Sequence, residues 1–424
     1  MMRSIFLSGP MFRNVFVAAI AFVTLCSLPA FAADATPPPR SPALPPHTVL
    51  IGKGGLDGFM TVGAEGTIHV IYGGKYRCGR APDQLGSEET ITDVGEVNGV
   101  RLTIDATGRP HAVFSTGVTA AAKRSYYTAR VHGCWLPAEK FADAADFPER
   151  SRAYVADVAA DEESKALVCF WVSRPIAQRA EFENPSFYYR WRSRDGRWSA
   201  PQSLPAAWSS APKVEYEPVR GFYLLWQFRQ TDWRIGGPVR AGEAFAVEES
   251  IPTGSANLTG LTTVQNEGAD FSRGAKGTLV VAGNVREKFH GPVGVWATVG
   301  DSAKLAAAVY LGGFPGTKRG DESGLHPVTA FDAATGAAFV TVMDPATKRA
   351  CVSVYRRDTG WQRTYVPLLP GHVTPQGTLR QGPSVADLPG PGVVALIRDG
   401  EQCWYLRTLT SADASEPRAS REKP

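Results

Sequence analysis

The side chains best suited to chemistry in this chain lie six to nine positions ahead of repeated turns. Counted back from seven short turns, the places where strands would begin hold Asp57, Asn98, Arg152, Ser210, Glu267, His326 and Arg380, all of them polar. Asp57 and Glu267 could divide the work of acid and of nucleophile or base that glycosidic cleavage requires, with Asp232 and Asp321 as further carboxylates. His326 or His290 could take a proton near neutral pH in an eliminating reaction. Asp57, Glu267 and His326 are therefore the catalytic candidates. Arg152, Arg380, Arg229 and Arg286 offer planar forks that grip a carboxylate or sulfate through two bonds. With Asn98, His290 and a ring face on Trp233, they make the ligand-binding set. The plain alternative for each is a solvated residue at a channel mouth.

What would hold these residues together is a repeated hairpin. In LTIDATGRPHAVFS, from Leu102 to Ser115, apolar and polar residues alternate, Asp105 to Gly108 reverse the chain, and an apolar run returns. Asp favours the first turn position because its side chain accepts nearby backbone N–H groups, and Gly tolerates positive φ. Seven such hairpins end their turns at Gly66, Gly108, Lys165, Gly221, Gly277, Gly336 and Gly392, at intervals of 42, 57, 56, 56, 59 and 56 residues. Between them lies a second pair of strands around a short turn and a Trp, as in SFYYRWRSRDGRWSAPQSL and ACVSVYRRDTGWQRTYVPL. Four antiparallel strands at a fixed long period make a propeller blade. The fold class is all-β, a seven-bladed propeller, with six or eight blades as alternatives because the first repeat is short. The last repeat holds only three strands, and His47–Ile51 is the expected fourth, closing the ring and hiding its edges. The connections between second and third strands and between blades are the long ones, and all leave from one end of such a ring. Function belongs on long loops of one face.

Composition narrows the partners. Arg3 and Arg13 precede the apolar run Val15 to Leu28 and then Ala30-Phe31-Ala32, the pattern of a signal peptide over residues 1–32. Residues 33–46 read as a Pro-rich linker, 47–410 as the propeller and 411–424 as a disordered tail. The remainder after the leader holds 43 Lys plus Arg against 41 Asp plus Glu, a balance that argues against nucleic acid. No later stretch is long and apolar enough for a membrane span. The expectation is a secreted or periplasmic monomer. Its five remaining cysteines, Cys78, Cys134, Cys169, Cys351 and Cys403, lack metal-binding spacing, so no metal or cofactor is expected.

The turn with Asp and Gly followed by Trp, as in Ser193-Arg194-Asp195-Gly196-Arg197-Trp198, resembles the Asp-box or BNR repeat of sialidase-like propellers. It is shorter than the family's Ser-x-Asp-x-Gly-x-Thr-Trp, and the Phe-Arg-Ile-Pro type motif of sialidases is missing. The resemblance implies an exported protein that recognises, and in some members cleaves, an acidic glycan. A non-catalytic lectin-like module and a periplasmic interaction scaffold are the alternatives, since one fold hosts all three. Trp135, Trp198 and Trp361 sit at equivalent places and are expected to pack between outer strands.

Overall fold

The computed structural model describes Leu44 and residues 47–410, apart from 56, 64, 117–123, 143–146, 148–151, 174–185, 205–210, 229–231, 246–248, 251–268, 275–277, 287–292, 302–303, 315–326, 333, 344–349, 367–383, 388–391 and 399–402. The leader, the linker other than Leu44, and the tail lie outside the described residues. Among the described residues, no helix is long and apolar enough to cross a membrane.

Every strand among the described residues belongs to one of seven antiparallel sheets. The innermost strands are Gly58–Val62, Val97–Ile104, Arg152–Ala160, Lys213–Glu217, Ala269–Arg273, Val328–Phe331 and Ser384–Asp387, for blades 1 to 7. Each pairs with the strand after it across a short turn. The second strands are nearly continuous apolar runs, such as IHVIY in Ile68–Tyr72 and VVALIR in Val393–Arg398, because both of their faces are covered. Alternate residues face opposite neighbours: Leu279 and Val281 join the cluster shared with blade 4, whereas Val280 and Ala282 join the one shared with blade 6.

Seven apolar clusters fill the seven spaces between successive blades, and the last joins blade 7 to blade 1 through Val394, Leu396, Ile51, Met60 and Val70. Each innermost strand contacts the next around the full circle. A closed ring of seven follows.

Closure uses the N-terminal segment, as the sequence predicts, over a slightly longer range. Thr48–Lys53 pairs antiparallel with Cys403–Leu409 as the outer strand of blade 7. Tyr72 Oη donates to the Ile51 carbonyl at 3.0 Å, Arg77 Nη1 to the same oxygen at 2.6 Å, and Trp404 Nε1 to the Gly54 carbonyl at 2.7 Å. Blade 1 thus holds the strand that completes blade 7. Gly55 and Gly73 let the two segments touch backbone to backbone, since a Cβ on Gly55 would stand 2.0 Å from the Gly73 Cα.

Outer edges of the first three blades are joined by a repeated side-chain clasp. Arg130 of blade 2 bonds Glu89 of blade 1 through Nε and Nη2, both at 2.8 Å, with its guanidinium over Tyr76 and Trp135 edge-on to the same ring. Arg192 of blade 3 resembles it, donating from Nε and Nη2 to the single oxygen Oε1 of Glu139 at 2.9 and 2.7 Å, over Tyr127, with Trp198 edge-on. Trp198 Nε1 also donates to Glu139 at 3.2 Å. Desolvated guanidinium–ring contacts and forked carboxylate bonds make this a strong surface joint. Trp135 and Trp198 are packing residues.

Candidate functional site

Antiparallel pairing sends both kinds of long connection to the end where the innermost strands begin. Asp57 stands there, half-buried, just ahead of blade 1's inner strand, and its Oδ2 accepts the Gly99 N–H of blade 2 at 2.7 Å. Asn98 and Arg152 lie at the start of the inner strands of blades 2 and 3, paired with Ser115 and Ser173. Arg286 closes the second strand of blade 5 opposite Val293. Glu267, His326, Arg380, Arg229, His290 and Ser210 lie outside the described residues. Of the candidates, the structure brings Asp57 onto the strand that carries Asn98.

Trp233 departs from expectation. It pairs with Gln227 inside the third strand of blade 4, is 2% exposed, and belongs to the cluster between blades 4 and 5 with Tyr223, Leu225 and Phe271. Its ring is core and has no free face for a sugar.

A charged rung lies deeper than these candidates. Arg101, Asp157, Lys213 and Asp270 occupy one register in four consecutive blades, opposite Val113, Cys169, Leu225 and Ala282 of the second strands. Phe59, Val328 and Ser384 hold the same position in blades 1, 6 and 7. Signs alternate from blade to blade. Asp157 Oδ2 accepts the Val214 N–H of blade 4 at 3.0 Å, and Asp270 Oδ2 accepts the Thr329 N–H of blade 6 at 2.8 Å. Each carboxylate thereby latches its blade to the next. Lys213 Nζ lies 3.5 Å from Asp270 Oδ1, and the Arg101 guanidinium sits 5.2 Å over the Phe59 ring.

Burial dominates the electrostatics of this rung. It pushes the Asp157 carboxyl up, against the pull of Lys213, Arg101 and the Val214 N–H, and Asp270 adds to the rise. It pushes Arg101 down, against the fields of Asp157, Asp57 and Asp270. Arg101, Asp157, Lys213 and Asp270 share one register on successive innermost strands, which places the four in one layer of the ring. Two β-bulges help aim them, one between Asn98 and Arg101 and one between Val155 and Asp157. The sequence signal was a charge seven or eight residues before the end of four of the seven turns, visible only once those hairpins are aligned in the same register.

A second buried constellation stands at the opposite end. Asp105 Oδ1 caps its own turn through the Thr107 and Arg109 N–H groups, both at 2.9 Å. Its Oδ2 accepts His111 Nε2 at 3.0 Å and Ser164 Oγ of blade 3 at 2.6 Å, while His111 Nδ1 meets Tyr127 Oη at 2.6 Å. Burial alone would raise Asp105, but the bonds from His111, Ser164, Thr107 and Arg109 outweigh it and hold the carboxyl well below its usual range. Burial lowers His111 despite the Asp105 charge, so the ring is neutral, donating from Nε2 and accepting at Nδ1. Both nitrogens are used, and the pair is structural.

Among the described residues, no cluster of His, Cys, Asp and Glu could hold a metal ion. No protein-family model matches the chain, and no curated protein does. Several solved structures resemble it in shape. A NanB sialidase variant from Streptococcus pneumoniae gives a TM-score of 0.46 at 8% identity, covering 82% of this chain and 83% of its own. The Aleuria aurantia lectin in complex with α-methyl-L-fucoside gives 0.41 at 10%, covering 77% and 99%. The polysaccharide lyase Uly1 gives 0.37 at 11%, covering 83% and 76%. The blade count rests on the strand pairing, not on these likenesses.

Proposed function

We propose that this is an exported propeller that recognises an acidic glycan at a single central site, at the end of the ring where the long connections converge. The observation that carries this reading is the charged rung: four successive blades commit ionisable side chains to one layer of the ring, where apolar side chains would be the cheaper filling. Above the rung stand Asp57, Asn98 and Arg152, and the adjoining connections carry Glu267, His326, Arg380, Arg229 and His290, with Arg286 at the edge of one. Arginine forks at such a mouth suit a sugar carboxylate or sulfate. Repeated peripheral sugar sites on tryptophan are disfavoured, because Trp135 and Trp198 are occupied in the interblade clasps.

The test is titration of purified protein with trigalacturonate and with its neutral trigalactoside counterpart. Binding of the acidic sugar much tighter than of the neutral one, with that difference lost in Arg152→Gln and Arg380→Gln, supports the reading; equal binding of both, or of neither, sinks it. Reducing-end release measured in the same samples asks whether cleavage follows. Release abolished by Glu267→Gln with binding retained would make the protein a hydrolase, and binding without release a lectin.

A further inference from the structure

Arg101 is 6% exposed, yet among the described residues its Nε has no hydrogen-bond partner, and the one hydrogen bond it donates there runs from Nη1 to the Val100 carbonyl at 2.7 Å. Asp57 caps the Gly99 N–H two residues before it, Asp157 holds the same register on the neighbouring innermost strand, and among the described residues neither forms an ion pair with it. A guanidinium kept from water with donors unspent is costly. Facing it are spare acceptors. Asp57 and Asp157 each give Oδ2 to a backbone N–H, and among the described residues the second oxygen of each has no bond.

This mixture selects a chemistry. A group that only accepts, such as a carboxylate or sulfate, would confront the bare oxygens of Asp57 and Asp157. One that only donates, such as an ammonium, would confront Arg101. A hydroxyl does both. Two adjacent hydroxyls can accept from the Arg101 fork while donating to the two carboxylates. Asp57 stands two residues above the rung, so the cluster lies on the order of 7 Å below the channel mouth.

We infer that Arg101, Asp57 and Asp157 form a subsite for a vicinal diol of a saccharide ring, making the floor of the central site. The inference rests on the glycan reading for the route of entry, but not on the ligand being acidic. Lys213 and Asp270 neutralise each other beside it. The acid group of a longer ligand would then lie higher, at the arginines of the mouth.

The probes are the neutral methyl α-glycosides of galactose, glucose and mannose, followed by saturation-transfer NMR on the purified protein. At least one should receive saturation at two adjacent ring positions. Arg101→Met and Asp157→Asn should each remove the transfer, and deletion of either contacted hydroxyl should weaken binding about tenfold. Melting curves check that both variants are folded; if Arg101→Met does not fold, Asp157→Asn and the deoxy sugars still decide. Absence of transfer from all three sugars, transfer that survives in Asp157→Asn, or a soaked crystal with water alone at the rung would overturn the inference. It fails separately from the acidic-glycan reading. Trigalacturonate binding that is lost in Arg152→Gln but unchanged in Asp157→Asn removes the subsite only. Neutral glycoside bound at the rung without trigalacturonate affinity removes only the acidic specificity.

Discussion

The two buried polar clusters of this ring answer the same cost in opposite ways. At the short-turn end, Asp105, His111, Tyr127 and Ser164 close on one another, with both carboxylate oxygens and both imidazole nitrogens in use. In the lumen, Arg101 keeps an unpartnered Nε, and Asp57 and Asp157 each use one oxygen. A saturated network belongs to the fold, and an unsaturated one has room for a guest. Blade 1 supplies an internal control. His69 keeps its Tyr76 partner at 2.6 Å, but Gly63 stands where blade 2 has Asp105.

That contrast can be broken by substitution. Asp105→Ala strips the acceptor from His111, Ser164 and Thr107 at once and should cost about 4 kcal/mol in urea unfolding while leaving saccharide binding intact. A loss below 1 kcal/mol would end the distinction between the clusters. His69 gives the next largest effect, through pH. Burial, with Arg130 nearby, depresses its folded-state pKa from 6.5 to about 4. The folded protein therefore binds this proton less readily than the unfolded chain. Stability linked to His69 is fully present above pH 6.5 and is lost as pH falls toward 4, amounting to about 3 kcal/mol. His69→Leu should flatten unfolding free energy across that window, and an unchanged slope would refute the assignment.

Arg192→Met tests the outer clasp. Loss of the fork to Glu139 and the stacking on Tyr127 should lower stability by about 1 kcal/mol, with the melting temperature falling and binding unaffected. Asp157→Asn should change least, within about 0.5 kcal/mol at neutral pH, because the amide keeps an oxygen for Val214 and removes a buried charge. Its sign with pH is opposite to that of His69. A carboxyl raised in the folded state contributes stability that is present at low pH and lost as pH rises through its folded value. The wild type should therefore lose stability relative to Asp157→Asn on going from acid to neutral pH.

The seven blades were legible because turn chemistry is local: Asp105 and Asp332 cap their turns as their types suggest, and Gly108 and Gly336 take positive φ. The closing strand was legible because blade 7 lacked a fourth. The rung was not. A single Arg or Asp in a strand reads as a solvent-facing charge, and the bulges beside Arg101 and Asp157 shift the alternation that would reveal its direction. The burial of Trp233 was not legible either, because DWRIGGPV breaks its apolar pattern with glycines and a proline, whereas cross-strand pairing makes it a strand from Asp232 onward.

The closing strand also sets how the ring bears load. Thr48 lies opposite Arg407, and Lys53 opposite Cys403, so the outward-leading ends of both strands emerge at the same end of the pair. Tension applied between the two termini therefore acts on one ladder bond at a time, like a zipper, instead of shearing all of them together. In optical-tweezer pulling, the first event should be a low-force extension of about 40 Å, the freed strand's six residues plus the equal length of the partner it lay along, leaving six blades whole and the seventh with one edge open.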